Sequence, residues 1–241
     1  MTRTVEVLSS ATSLIERALA LVVAEAKQAI ADRGQFTIAL AGGNTPRPLY
    51  EQLATQDLPW DQVHVFWGDE RYVPVSDPDS NEGMARRAWL DLIAIPPDNV
   101  HPMPTSASDP AEAAQTYEQH LQAFFGTPAG EFPRLDVILL GMGPDGHTAS
   151  LFPQTQALQV CEHLIAVGNK DGQPRLTFTV PMINQGRQVI FLVTGENKRP
   201  ALAQIFGDQA NPLEYPARFI NPVGPCIWLL DSAAGAELTT P

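Results

Sequence analysis

Three short runs in this chain are almost continuous in apolar residues: Phe36-Thr-Ile-Ala-Leu-Ala41, Val63-His-Val-Phe-Trp67 and Leu135-Asp-Val-Ile-Leu-Leu140. A strand that is apolar on both faces must be covered on both, a condition met inside a parallel sheet flanked by helices. Each run ends in a polar turn bearing glycine: Gly42-Gly43-Asn44-Thr45-Pro46, Gly68-Asp69-Glu70-Arg71 and Gly141-Met-Gly-Pro-Asp-Gly146. Segments 163–167, 188–194 and 226–231 are further expected strands. Helical periodicity fills the intervals. Residues 10–33 place Leu14, Ala18, Leu21, Val22, Ala26 and Ile30 at helical spacing, with Gly34 as the stop. Helices are also expected over 82–92 and 111–125, with helical pieces at 198–206 and 216–220, while 94–110 reads as a surface connection. Thr45 followed by Pro46 reads as a helix N-cap with proline in the first turn. The alternation predicts an α/β fold with a mainly parallel sheet covered by helices on both faces, formed by residues 1–241 as a single domain. Right-handed crossovers then carry the loops 42–46, 68–74, 141–148 and 195–198 to one edge of the sheet, where ligands bind in such folds.

The formal net charge is −12, from 27 acidic and 15 basic residues. Such a surface repels a phosphate backbone, so nucleic acid is not an expected partner. A small anion is still compatible where a few cations gather in one cleft. Cys161 and Cys226 are too few for a disulfide framework and lack CxxC spacing, which fits a reducing compartment. The start, Thr2-Arg3-Thr4-Val5-Glu6, leads into a segment containing Glu16, Arg17, Glu25 and Lys27, with neither a signal-peptide core nor an uncharged span of ~18 residues. The expectation is a cytoplasmic protein with no membrane partner, monomeric or weakly homo-oligomeric.

Among the motifs, Gly42, Gly43, Asn44 and Thr45 can offer main-chain N–H groups and side-chain donors to a phosphate, or can simply form a tight turn. The loop lacks the Gly-Lys-Ser/Thr ending of a triphosphate-binding loop. Gly141-Met-Gly143-Pro-Asp-Gly146 matches the GxGxxG dinucleotide pattern, but Asp145 would face the pyrophosphate and no acidic ribose ligand ends the next strand-like segment. The alternative is catalytic. Glycines let the backbone approach a ligand closely, and Asp145 and His147 bracket Gly146 at the mouth. An imidazole, with a reference pKa of about 6.5, exchanges protons near neutral pH. In extended structure Asp69 and Glu70 point to opposite sides, and Asp69 is taken as the one facing the cleft. Arg71, Arg175 and Lys198 can bind an anionic substrate or pair with surface carboxylates. No HExxH stands in the sequence, and Ser150 lies outside a GxSxG elbow, so neither a metal site nor a serine nucleophile is expected.

Four ordered blocks, Leu40–Pro46, Phe66–Pro74, Ser80-Asn81 and Leu140–Pro153, resemble the 6-phosphogluconolactonase family. Pro174–Thr179 and Thr194–Lys198 look like later blocks of the same family. The resemblance implies a Rossmann-like sheet of the deaminase/phosphogluconolactonase type and hydrolysis of 6-phospho-D-glucono-1,5-lactone without metal or organic cofactor. It implies that Gly42, Gly43, Asn44, Thr45, Arg71, Arg175 and Lys198 hold the phosphorylated sugar lactone. His147 would be the base, with Asp145 or Asp69 orienting it. The related deaminases carry a glutamate directly before the proline that ends the loop; here Phe152 precedes Pro153, which disfavours amine chemistry. A sugar-phosphate deaminase or isomerase of the same fold, and a non-catalytic sugar-phosphate-binding protein, are the alternatives.

Overall fold

A computed structural model describes residues 3–208 and 211–238; positions 1, 2, 209, 210 and 239–241, which the expected 1–241 domain includes, lie outside the described residues. The chain opens with β1 (Arg3–Leu8), α1 (Ala11–Arg33), β2 (Phe36–Leu40) and α2 (Arg47–Leu53), then β3 (Val63–Trp67), β4 (Asp69–Arg71) and α3 (Asn81–Ala88). It continues through α4 (Pro110–Phe125), β5 (Val137–Leu140), β6 (Ile165–Lys170), β7 (Gln173–Phe178) and α5 (Val180–Asn184), and closes with β8 (Gln188–Val193), α6 (Arg199–Phe206) and β9 (Cys226–Asp231). β1, β9, β8, β5, β2 and β3 lie in that order in one sheet. All its pairings are parallel.

The expected mainly parallel sheet is therefore present, and the apolar runs lie inside it. Every residue of β2, β5 and β9 is buried. Ser10 caps α1 by accepting from the Ser13 N–H at 3.1 Å, and Gly34 ends it with φ +77°. The glycine takes that left-handed conformation without a Cβ penalty. α1, at 23 residues, places Leu14, Ala18, Val22 and Ala26 against the sheet. No helix among the described residues is long and apolar enough to cross a membrane.

Several elements depart from the sequence reading. β6 is not in the parallel sheet: it pairs antiparallel with β7, and β7 with β4, in a second sheet of three strands. β1, β4, β7 and α5 were not anticipated: β1 because its residues are largely exposed, β4 because Asp-Glu-Arg carries no apolar pattern, β7 because Pro174 and Arg175 interrupt its apolar run, and α5 because five residues are too few to show a helical period. The helix expected over 82–92 stops at Ala88, where Trp89 leaves helical geometry at φ −147° and a short 3-10 turn follows. Residues 216–219 likewise form a single 3-10 turn. Thr45 does not cap α2; its hydroxyl pairs with that of Thr194 at 3.1 Å, and Pro46 occupies the cap position.

Two buried polar groups anchor the sheet away from the strand ends discussed below. At the start of β5 the Asp136 carboxylate accepts from the N–H and hydroxyl of Thr37, both at 2.8 Å, and from Arg33 at 2.8 Å. Beside β3, His64, His101 and His120 form a hydrogen-bonded chain of 3.1 and 2.8 Å, with His101 stacked on Phe66. Burial first, then the neighbouring His120 and His64, push His101 down to about 4. Two outcomes follow. Asp136→Ala strands the buried Thr37 donor and lowers unfolding free energy by about 2–3 kcal/mol, measured by urea denaturation. The unfolded chain protonates its histidines near ~6.5 whereas the folded state resists until about 4, so stability falls as pH drops through that window. Urea midpoints taken across the window show this fall, and His101→Phe makes it shallower.

Candidate active site

Gly68 is the junction between the two sheets. Its N–H donates to Leu40 of β2 at 2.9 Å, and its carbonyl accepts from Phe178 of β7 at 2.8 Å. The chain thus leaves β3 and pairs at once with β7, which carries Asp69 and Arg71 over the edge where β2, β5 and β8 end. Strand alternation separates Asp69 and Glu70. Glu70 is 3% exposed and turns to the start of α3, accepting from the N–H groups of Arg71, Asn81 and Glu82 at 2.7–2.8 Å and from the Ser80 hydroxyl at 3.2 Å. Asp69 faces the other way, into a cavity of about 270 Å³.

Gly42, Gly43, Asn44 and Thr45 form one wall of that cavity, and Asp69, Arg71, His147, Arg175 and Lys198 complete it, so the four loops expected at one edge meet around a single space. Asp145 does not line it; about half exposed, it is hydrogen-bonded to His147, which does. Gly42 packs against the Asn81 amide, where a Cβ would overlap Asn81 Oδ1. Asn81 Nδ2 in turn donates to the Asp69 carbonyl at 2.9 Å. Among the described residues, no main-chain N–H of Gly42, Gly43 or Asn44 has a protein partner.

The Asp145 Oδ1–His147 Nδ1 contact is 2.5 Å. Burial pushes the Asp145 carboxyl up, but the hydrogen bond and charge of His147 outweigh it and hold it down at about 2. An ionised carboxylate only accepts, so Nδ1 carries the proton and Nε2 is left with a free lone pair in the neutral ring. Asp69 does not touch the imidazole; its Oδ2 accepts from the buried Ser150 hydroxyl at 2.7 Å. Gly143 lies directly under the His147 ring, with its N–H donating to the His147 carbonyl at 2.9 Å; a Cβ there would collide with both the ring and Asp145. On the other side Phe152, 7% exposed, packs at 4.5 Å between ring centroids.

Three cations line the cavity together. Arg71 and Arg175 are directly opposed across the β4–β7 ladder, a like-charge pairing that is unfavourable unless something negative sits with it. Among the described residues no carboxylate lies within ion-pair distance of Arg71, Arg175 or Lys198. The Nε atoms of both arginines are buried without a partner, although Arg71 also donates through Nη1 to the Asp79 carbonyl. Burial, then the charge of Arg71, holds Arg175 below its ordinary value; burial does the same to Lys198, partly offset by Asp145. A bound anion would relieve both. No group of three or more His, Cys, Asp or Glu is placed to hold a metal ion among the described residues.

The GxGxxG run does not open a helix as a dinucleotide site requires: residues 141–155 hold no helix, and Thr148 bridges Leu151. Ser150, Thr194 and Asn81 were given no role from sequence. Ser150 and Asn81 stand inside quoted blocks, but nothing in their spacing shows that they reach Asp69.

Fold and cleft together define an α/β protein with a cavity that brings three cations together beside an oriented histidine. Residues 9–228 match the family model described as glucosamine-6-phosphate isomerases/6-phosphogluconolactonase, and the chain belongs to that family. It is 62% identical to proteins named 6-phosphogluconolactonase from a Nostoc species, over 99% of this chain and 100% of that one, and from a Synechocystis species, over 97% and 98%. The solved structure of 6-phosphogluconolactonase from Trypanosoma brucei is similar, with a TM-score of 0.88, 31% identity and 99% of each chain covered.

The tight packing under His147 generates a prediction. Gly143→Ala displaces the ring and lowers kcat about a hundredfold. Thermal unfolding changes far less than activity, as a comparison of melting curves with initial rates shows.

Proposed function

We propose that this chain hydrolyses 6-phospho-D-glucono-1,5-lactone to 6-phospho-D-gluconate, with His147 activating water and no metal taking part. The observation that carries the mechanism is the Asp145–His147 hydrogen bond of 2.5 Å, which leaves Nε2 as the acceptor on a ring lining a cavity with three unpaired cations. Nε2 takes a proton from water as its oxygen attacks C1, and the charge moves to the carbonyl oxygen. When the tetrahedral intermediate collapses, the C1–ring oxygen bond breaks and the imidazolium returns the proton to that oxygen. Asp145 stabilises the imidazolium in between.

The Thr45–Thr194 bond of 3.1 Å ties the Gly42–Thr45 loop to the turn bearing Lys198. These two form the natural cradle for the phosphate, whose binding fixes C1 against the histidine. Arg71 and Arg175 lie beside Asp69 and supply positive potential for the ring oxygens and for the carboxylate that forms. Asp69, held by Ser150, offers its other oxygen to a sugar hydroxyl. Phe152 favours the lactonase over a deaminase or isomerase, because an apolar ring beside His147 gives no second carboxylate for proton transfer to an amine or along an aldose.

Residues 1–241 are read as one domain because a single cluster of buried side chains joins the described elements of both sheets. A net charge of −12 disfavours nucleic-acid binding, the chain is read as a monomer or weak homo-oligomer, and two unpaired cysteines suit the cytoplasm.

Lactone is generated by glucose-6-phosphate dehydrogenase and its spontaneous opening subtracted. His147→Ala then lowers kcat by about a thousandfold with KM little changed. Lys198→Ala raises KM about tenfold with kcat largely kept. Binding of 6-phosphogluconate without any acceleration would identify a sensor instead.

A further inference from the structure

β9 ends at Asp231, beside the turn that follows β8, because the parallel register pairs Leu230 with Val193. The carboxylate is 8% exposed, and among the described residues no cation lies within ion-pair distance of it. Its charge is met by main-chain donors alone. Both oxygens accept from the Gly195 N–H, at 3.1 and 3.2 Å, and Oδ1 also accepts from the Ala234 N–H at 2.7 Å. Gly195 has φ +97° and ψ 145°, a backbone region essentially reserved for glycine. Its carbonyl accepts from the Lys198 N–H at 3.2 Å, closing the turn that delivers Lys198 to the cavity. Arg199 Nε donates to the Ala233 carbonyl at 2.6 Å, so the loop after β9 holds this turn from both ends.

We infer that Asp231 is a positioning residue for the substrate's phosphate, acting through Gly195 to hold the turn that aims Lys198 into the cleft. Asp231 does not line the cavity and is not among the charges that act on Lys198. Its influence therefore travels through backbone geometry. A glycine in an open region of conformational space needs an external tie, and a buried carboxylate receiving two N–H groups supplies one.

The inference rests on the reading of Lys198 as a phosphate ligand, and a double-mutant cycle separates the two. Initial rates are measured with 6-phosphogluconolactone and with unphosphorylated glucono-1,5-lactone for the wild type, Asp231→Ala, Asp231→Asn, Lys198→Ala and the doubles. Asp231→Ala raises KM for the phosphorylated lactone about tenfold with kcat within about twofold, and Asp231→Asn, which keeps one acceptor oxygen, raises it about threefold. Neither changes kcat/KM for the unphosphorylated lactone, and neither adds to the effect of Lys198→Ala. An unchanged KM, an equal loss on both lactones, or additivity with Lys198→Ala overturns the inference. If Asp231→Ala does not fold, Asp231→Asn decides on the same readings. An unchanged KM in Lys198→Ala alone instead removes the phosphate role of Lys198, and the inference falls with it.

Discussion

Parallel pairing makes every crossover start from the same edge of the sheet, so the residues that follow β2, β5 and β8 emerge side by side. Gly42, Gly141 and Thr194 owe their proximity to that register rather than to any contact between them. The second sheet depends on the first: Gly68 bonds to β2 through its N–H and to β7 through its carbonyl, which hangs the β4–β7–β6 ladder over the strand ends. Asp69, Arg71 and Arg175 enter the cleft on this overhang. Neither sheet alone assembles the cavity.

Charge is distributed with the same economy. The chain is acidic overall, yet three cations converge with no carboxylate within ion-pair distance among the described residues, and each is partly withdrawn from water. Carboxylates near the cleft are engaged elsewhere. Glu70 is taken up by the start of α3, Asp145 by His147, and one oxygen of Asp69 by Ser150. What is left is positive potential at the cavity, beside an imidazole whose tautomer is fixed by Asp145. Phe152 seals one side of that imidazole, and Gly143 leaves room for it on another.

Strands β2, β3, β5, β8 and β9 were legible because burial on both faces requires nearly unbroken apolar runs. α1 and α4 were legible because burial on one face requires helical spacing. β4 was not, since three charged residues acquire strand geometry only by pairing with β7. β6 looked like one more strand of the parallel sheet, and nothing local to it distinguishes parallel from antiparallel pairing. Thr45 and Pro46 satisfied a capping pattern, but a hydroxyl from β8's loop was a closer partner. The cleft residues could be named from the glycine-bearing loops and from the family resemblance, whereas their partners could not.

The sequence by itself determined the class of fold, the edge where the loops gather, and the histidine set among glycines there, because apolar period and glycine turns are local properties. Tertiary structure alone decided which carboxylate holds His147, that Arg71 stands opposite Arg175, and that Ser150, Asn81 and Asp231 brace the loops around them. Apart from the Asp145–His147 bond, those relations join residues twelve or more positions apart, and side chains so separated meet only through strand register and the crossing of two sheets.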